Sequence, residues 1–79
     1  EAGDRASAIA LLERALADDP QDVAAHALLG VLHATAGDAE PARAALRRAL
    51  YLDPGHHESR AQLALLTARG GQGGREAAP

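Results

Sequence analysis

The stretch VAAHALLGVLHATAGDAEPARAALRRALYLDP, residues 23–54, decides the fold of this chain. An Asp-Pro pair closes it at Pro54, and another Asp-Pro pair precedes it at Pro20. Within the stretch, apolar residues recur at helical spacing on both sides of Gly37. The period of about 34 residues from one proline to the next predicts a helical repeat, in which each unit is a pair of helices.

The flanking residues repeat this pattern at the same offset. Laid over residues 35–54, residues 1–20 are identical at many positions. The identical pairs are Ala2/Ala36, Gly3/Gly37, Asp4/Asp38, Ala8/Ala42, Ala10/Ala44, Leu12/Leu46, Arg14/Arg48, Ala15/Ala49, Leu16/Leu50, Asp19/Asp53 and Pro20/Pro54. We therefore expect one full repeat between two half repeats, which together form a domain over residues 1–69. Their bounds are 3–20, 21–54 and 55–69.

Turn signals divide the chain into four expected helices. Asp4 is expected to cap the first helix, which ends at Asp19-Pro20 because the residue before a proline is steered out of the helical conformation. Gly37 is expected to end the second helix, and Asp38 to cap the third. The expected helices cover about 4–19, 22–36, 38–52 and 56–69.

Glycine has two expected roles in this chain. Gly30 lies inside the second helix, where glycine costs about 1 kcal/mol relative to alanine, and its expected compensation is a close approach by the partner helix. Glycine pairs also interrupt the helical pattern after Arg69. The last residues, GGQGGREAAP at 70–79, are therefore expected to form a flexible, disordered tail.

The composition fits a small helical domain and excludes several classes of function. The 79 residues are 47% hydrophobic, mostly alanine and leucine, and Tyr51 is the single aromatic residue. The absence of cysteine excludes disulfides, thiolate metal sites and thiol catalysis. The net charge of −3 comes without a basic stripe, so neither nucleic acid nor a membrane is an expected partner. No apolar run approaches the about 20 residues that cross a bilayer, and we expect a cytoplasmic location.

The four histidines are the residues with the most chemical reactivity. His26 and His33 lie on one face of the second helix but about 10 Å apart along its axis, too far to share one metal ion. His56 and His57 are adjacent at the expected start of the fourth helix and point in different directions. We interpret the first two as partly buried packing residues and the other two as a solvated helix start. No catalytic, cofactor-binding or metal-binding residue is predicted, and no enzyme activity.

The complete unit resembles the tetratricopeptide repeat, a helix pair with this same period. The small and large residues that carry the resemblance are Leu29, Gly30, Ala42, Leu46, Ala49 and Pro54. The resemblance covers residues 3–69 and implies an all-α fold, a right-handed superhelix of antiparallel helix pairs. Where the family favours large aromatic side chains, this chain has His26, His33 and Leu46. Its packing is therefore expected to be lighter than usual.

The same resemblance implies a concave groove that binds a protein or peptide and is lined by the first helix of each pair. Carrying the family's groove positions over to this chain selects residues on the second and fourth helices. They are Ala24, Ala27, Val31, Ala34 and Thr35, followed by Glu58, Ala61, Leu65, Ala68 and Arg69. The set is mostly small and apolar, so binding is expected to be hydrophobically driven, with Glu58 and Arg69 at the edges. The alternative is that the alanines only allow the helices to stack.

Three functions remain open. The first is a non-catalytic interaction module of a bacterial multidomain protein. The second rests on the phrase RALYLDP at 48–54, which resembles the repeats C-terminal to the catalytic domain of some chemotaxis receptor methyltransferases. The chain would then be the regulatory tail of such an enzyme. The third is self-association, as a homodimer, through exposed stacking faces at the ends of the repeat array.

Overall fold

The computed structural model describes the backbone of residues 2–77 and the side chains of residues 3–69. The chain forms four α-helices, which are α1 (Ala2–Asp18), α2 (Val23–Thr35), α3 (Ala39–Leu52) and α4 (His57–Ala77). No strand occurs within residues 2–77. The predicted all-α fold with four helices is therefore confirmed.

Helix α2 is the centre of the molecule. It packs most extensively on α3, and it also contacts α1 and α4. These several neighbours explain why α2 is apolar over most of its circumference. Helix α4 packs on α3 and more lightly on α2, whereas α1 contacts α2 alone among the described residues. Because the connections between helices are short, consecutive helices form antiparallel neighbours.

The core lies where α3 meets α2 and α4, and it is built from small residues. Ala42 and Leu46 of α3 are completely buried, and Leu66 of α4 packs against them with 6% of its surface exposed. Ala34 of α2 is partly buried against the same cluster. Side chains of this size fill little volume, so the helix axes must approach closely to exclude water.

Gly30 is the residue that allows α2 and α3 to approach. An ideal Cβ at Gly30 would lie 2.6 Å from Cγ and 2.8 Å from Cδ2 of Leu46. Both distances are far below the ordinary separation of about 3.5–4.0 Å between carbon atoms. The close approach that the sequence predicts is therefore present, and the packing of Leu46 compensates for the poor helix propensity of glycine.

The turn between α2 and α3 is a Schellman motif. Gly37 has a φ of 86°, a left-handed conformation that glycine adopts without a steric penalty. Its backbone N–H donates to the carbonyl of Ala34 at 3.1 Å, and the N–H of Asp38 donates to the carbonyl of His33 at 2.9 Å. Gly37 thus ends α2 as predicted. Asp38 is at the N-cap position of α3, but its side chain makes no capping hydrogen bond.

The two Asp-Pro turns make equivalent hydrogen bonds at positions one repeat apart. In each turn the aspartate carboxylate accepts a hydrogen bond from the backbone N–H two residues later. The carbonyl oxygen of Pro20 lies 2.9 Å from Nε2 of His26, and the carbonyl oxygen of Pro54 accepts a hydrogen bond from Nη2 of Arg60 at 2.6 Å. His26 in the first turn and Arg60 in the second occupy the same repeat position, and each contacts the carbonyl group of the proline in its own turn.

The starts of α2 and α4 are also equivalent, although their capping residues differ. Oδ1 of Asp22 accepts a hydrogen bond from the N–H of Ala25 at 3.1 Å, which is an ordinary N-cap. At the start of α4, Nδ1 of His56 accepts from the N–H of Ser59 at 3.3 Å and lies 2.8 Å from the hydroxyl of the same serine. Ser59 is completely buried. His56 is therefore a capping residue, and its interpretation as part of a solvated helix start was wrong.

Two helix ends differ from those predicted. Helix α1 begins at Ala2, so Asp4 lies in its first turn and is not its N-cap. A carboxylate is favourable at both positions, since each is close to the positive end of the helix dipole. Helix α4 continues to Ala77 and not only to Arg69. The side chains of residues 70–77 and all of 78–79 lie outside the described residues, and the flexibility predicted there stays a prediction.

Candidate functional site

A groove of about 390 Å³ lies between α2 and α4, with α3 at its base. The residues that line it are Ala24, Ala27, Leu28, Val31, Leu46, Glu58, Ala61 and Gln62. Helix α2 supplies four of them and α4 supplies three, while Leu46 comes from α3. The groove wall is mostly apolar, with Glu58 as its only ionised side chain.

The structure brings together five of the residues that the family resemblance selects. Lining the groove are Ala24, Ala27, Val31, Glu58 and Ala61. The others lie further along the helices. Two of them, Ala34 and Arg69, line a second cavity, while Thr35, Leu65 and Ala68 line neither this cavity nor the groove. Whether any of these residues contacts a partner stays a prediction.

Besides Leu46, which was predicted as a core residue, the sequence reasoning missed two groove residues. Leu28 follows Ala27 on α2 and is 51% exposed, and Gln62 is its equivalent on α4. A helical stripe at spacings of three and four residues from Ala24 passes through position 28, so periodicity was sufficient to find it. Leu28 supplies the largest partly exposed apolar side chain of the groove. It is therefore the residue best suited to test the site.

A second cavity of about 290 Å³ lies where the turn after α2 meets α4. It is lined by Ala34, Gly37, Ala39, Arg43, Leu66 and Arg69. Nη1 of Arg43 lies 3.0 Å from Oε2 of Glu40, so this guanidinium already has an anionic partner. Arg69 is exposed at the other side of the cavity. The cavity combines an apolar base with a cationic rim.

His26 and His33 are packing residues in this arrangement. His26 and His33 are half-buried, as expected for packing residues, and His26 lies within hydrogen-bonding distance of the Pro20 carbonyl. Nδ1 of His33 is buried and has no hydrogen-bond partner. Within the described residues, no group of three or more histidine, cysteine, aspartate or glutamate side chains converges on a metal position.

The side chains around the groove are suited to binding and do not form a catalytic arrangement. The lining contains one carboxylate and one amide among apolar residues, and no nucleophile stands beside a base there. The groove is therefore suited to bind a partner through its shape and through hydrophobic contact. Across the described residues, no helix has the length and apolar character needed to span a bilayer.

Comparison with known proteins identifies the repeat. A family model described as tetratricopeptide repeat matches residues 1–69. Comparisons with curated proteins and with solved structures gave no significant match. The matched range covers all four helices up to the position at which the glycine-rich segment begins.

Proposed function

The chain belongs to the tetratricopeptide-repeat family, and from this premise we propose that it binds an amphipathic segment of another protein in the groove between α2 and α4. Repeats of this family are protein–protein interaction modules. The observation that carries the proposal is the groove of about 390 Å³, which is open, apolar and formed by equivalent faces of two helices. Pockets that hold ligands begin at about this volume.

The charge of the groove selects the chemistry of the partner. Glu58 is the single ionised group of the lining, and it stands at the start of α4 among alanine and leucine side chains. A partner that places apolar side chains in the groove and a lysine or arginine beside Glu58 would match both features. The partner segment is therefore proposed to be apolar on one face and basic at its edge.

Hydrophobic contact supplies most of the proposed affinity. Leu28 is 51% exposed and Leu65, one helical turn beyond the groove on α4, is 54% exposed. Covering apolar surface contributes about 25 cal/mol per Å². Both leucines are available to a segment that lies along the groove, and the small alanines between them let its backbone come close.

The test uses two model peptides and two matched leucine variants. The ¹⁵N-labelled chain is titrated with an amphipathic helical peptide of leucine and lysine, and then with the same peptide carrying glutamate in place of lysine. Shift changes at Ala24, Val31 and Ala61 are expected with the first peptide, and weaker changes with the second. Leu28→Glu is expected to abolish binding, whereas Leu11→Glu, which changes an exposed leucine outside the groove, is expected to preserve it.

The proposal fails if both leucine variants bind alike or if the shift changes map to another face. The regulatory-tail hypothesis has no support beyond the phrase at 48–54 and stays a hypothesis, as does a bacterial source.

A further inference from the structure

The side chain of Arg43 is buried more deeply than its hydrogen bonding explains. Only 18% of this side chain is exposed, whereas its partner Glu40, whose Oε2 lies 3.0 Å from Nη1 of Arg43, has a side chain that is 86% exposed. A guanidinium has five N–H donors, and this one makes a single hydrogen bond within the described residues. Because burial of a charged group is costly unless its donors are used, Arg43 has donors left for an anion.

The repeat itself does not require an arginine at this position. One repeat earlier the equivalent residue is Ile9, which is also partly buried. The equivalent of Arg69 is Thr35, another uncharged residue. Arg43 and Arg69 therefore lie outside the packing pattern that the two repeats share, and both line the second cavity.

The second cavity combines these two arginines with an apolar interior. All three helices around it supply apolar lining, through Ala34, Ala39 and Leu66. Arg43 and Arg69 are the ionised groups of the lining, and Glu40 offsets one of their two positive charges. Ala39 is the first residue of α3, so the positive end of that helix dipole also lies at the cavity wall. The ligand that matches this balance is a monoanion with an apolar body.

The cavity lies between helices and is not an uncovered outer side of one of them. Its walls are the end of α2, the turn at Gly37, the start of α3 and one side of α4. A helix that followed α4 in an array of repeats would stand to α3 as α3 stands to α1, and α1 and α3 make no contact within the described residues. Such a helix would leave the α3 wall, which holds Arg43, accessible.

We propose that the second cavity binds a carboxylate carried on a compact, branched apolar group. The carboxylate lies between Arg43 and Arg69, because the fork of a guanidinium matches a carboxylate with two parallel hydrogen bonds. The apolar group lies along Ala34 and Leu66. The pair with the exposed Glu40 contributes little and does not prevent Arg43 from binding a second carboxylate. The site shares no residue with the groove between α2 and α4 and is independent of the function proposed for it.

The first test separates the contribution of the charge from that of the apolar group. The probe is 4-methylpentanoate, which is titrated into the ¹⁵N-labelled chain at about pH 7 and low salt to about 50 mM, since ligands of this size bind weakly. Saturable shift changes are expected at the amides of Gly37, Ala39 and Arg69, and none at the groove residues Ala24 and Ala61.

Two comparison compounds each lack one of the two features. The neutral 4-methylpentanamide has the shape without the charge, and acetate has the charge without the branched chain. Each is expected to bind about tenfold or more weakly than 4-methylpentanoate, because each gives up a charge-assisted hydrogen bond or most of the apolar contact. Absence of saturable binding by 4-methylpentanoate overturns the proposal, and so does equal binding of either comparison compound.

Matched arginine variants test where the charge is recognised. Arg43→Met keeps the buried aliphatic stem and removes the guanidinium, and it is expected to weaken binding about tenfold or more. Arg69→Met changes an exposed side chain and gives a second test that does not depend on the packing of Arg43. Arg47→Met, at an exposed position of α3 outside the cavity lining, is the control and is expected to bind as wild type does. Circular dichroism verifies that each variant is helical. Cavity variants that bind as tightly as Arg47→Met overturn the proposal.

A peptide distinguishes the two sources of such a carboxylate, which are a free aliphatic acid and the C-terminus of a polypeptide that ends in leucine. The tripeptide alanyl-alanyl-leucine is titrated with a free and with an amidated C-terminus. Tighter binding of the free tripeptide than of 4-methylpentanoate assigns the site to a polypeptide end, and binding that is no tighter assigns it to a free acid. Both results uphold the shared chemistry. Equal binding of the two tripeptides contradicts it.

The groove variant Leu28→Glu keeps this test separate from that of the proposed function. It is expected to bind 4-methylpentanoate as wild type does, because Leu28 does not line the second cavity. Loss of 4-methylpentanoate binding in a helical Leu28→Glu chain would place the acid in the groove and overturn the proposal.

Discussion

Replacing Gly30 with alanine is expected to destabilise the protein, although alanine is the better helix former. Helix propensity alone favours Gly30→Ala by about 1 kcal/mol. The new Cβ, however, would lie 2.6 Å and 2.8 Å from two carbon atoms of Leu46 and 3.3 Å from the carbonyl oxygen of Ala42. Leu46 is completely buried, so a shift of its side chain disturbs the packing of the core around it.

The expected change in the free energy of unfolding is the difference between the cost of overpacking and the gain in helix propensity. Overpacking of a core costs about 1–3 kcal/mol, and the upper part of this range applies because Leu46 Cγ, close to the backbone, makes the shortest contact. Subtracting the propensity gain of about 1 kcal/mol leaves a net destabilisation of about 1–2 kcal/mol. For a domain of this size each kcal/mol lowers Tm by about 4–8 °C.

Urea and thermal unfolding, followed by circular dichroism, measure this difference. Gly3→Ala is the matched control, because Gly3 lies in α1 and an added Cβ there meets nothing within 4 Å. It is expected to stabilise slightly. In a Leu46→Ala background, studied in a stabilising osmolyte, Gly30→Ala should change sign and stabilise by up to about 1 kcal/mol. A Gly30→Ala protein that is as stable as wild type would refute this account of the α2–α3 contact.

Two further pairs of substitutions test the polar groups around the core. His33→Phe is expected to stabilise by about 1 kcal/mol, because it removes a buried Nδ1 without a partner, while His26→Phe gains nothing since it gives up the contact with the Pro20 carbonyl. Equal Tm changes for these two variants would contradict this. His56→Ala is expected to destabilise by about 1–2 kcal/mol in urea titrations, because the buried hydroxyl of Ser59 loses its partner, whereas His56→Asp retains an acceptor at the helix start. An unchanged urea midpoint for His56→Ala would show that the cap contributes nothing.

The helix ends and the close contact between α2 and α3 were largely predictable, because proline and glycine specify them through their effects on the backbone. Proline removes an N–H and restricts the preceding residue, so the two Asp-Pro pairs mark where α1 and α3 end. Gly37 and Gly30 were identified for different reasons, a left-handed φ at the first and a close approach at the second. Both reasons follow from the absence of a Cβ and need no knowledge of the neighbours.

The details that escaped prediction have separate and local causes. His56 is a capping residue only because Nδ1 reaches the N–H of Ser59, and histidine is not among the usual N-cap residues. Leu28 was missed because family positions were carried over one by one, without following the helical stripe to its next member. The start of α1 was predicted at the wrong residue because aspartate is equally favourable at the N-cap and in the first turn of a helix.

The repeated hydrogen bonds at the two Asp-Pro turns have a consequence for how the chain can change in length. Each joint is closed by groups within a few residues of its proline, so its geometry does not depend on distant helices. Residues 21–54 therefore form a cassette whose two borders are interchangeable. Duplicating this segment would add a third joint equivalent to the first two and lengthen the groove by one helix face, while each existing contact between helices is kept in one copy of the segment.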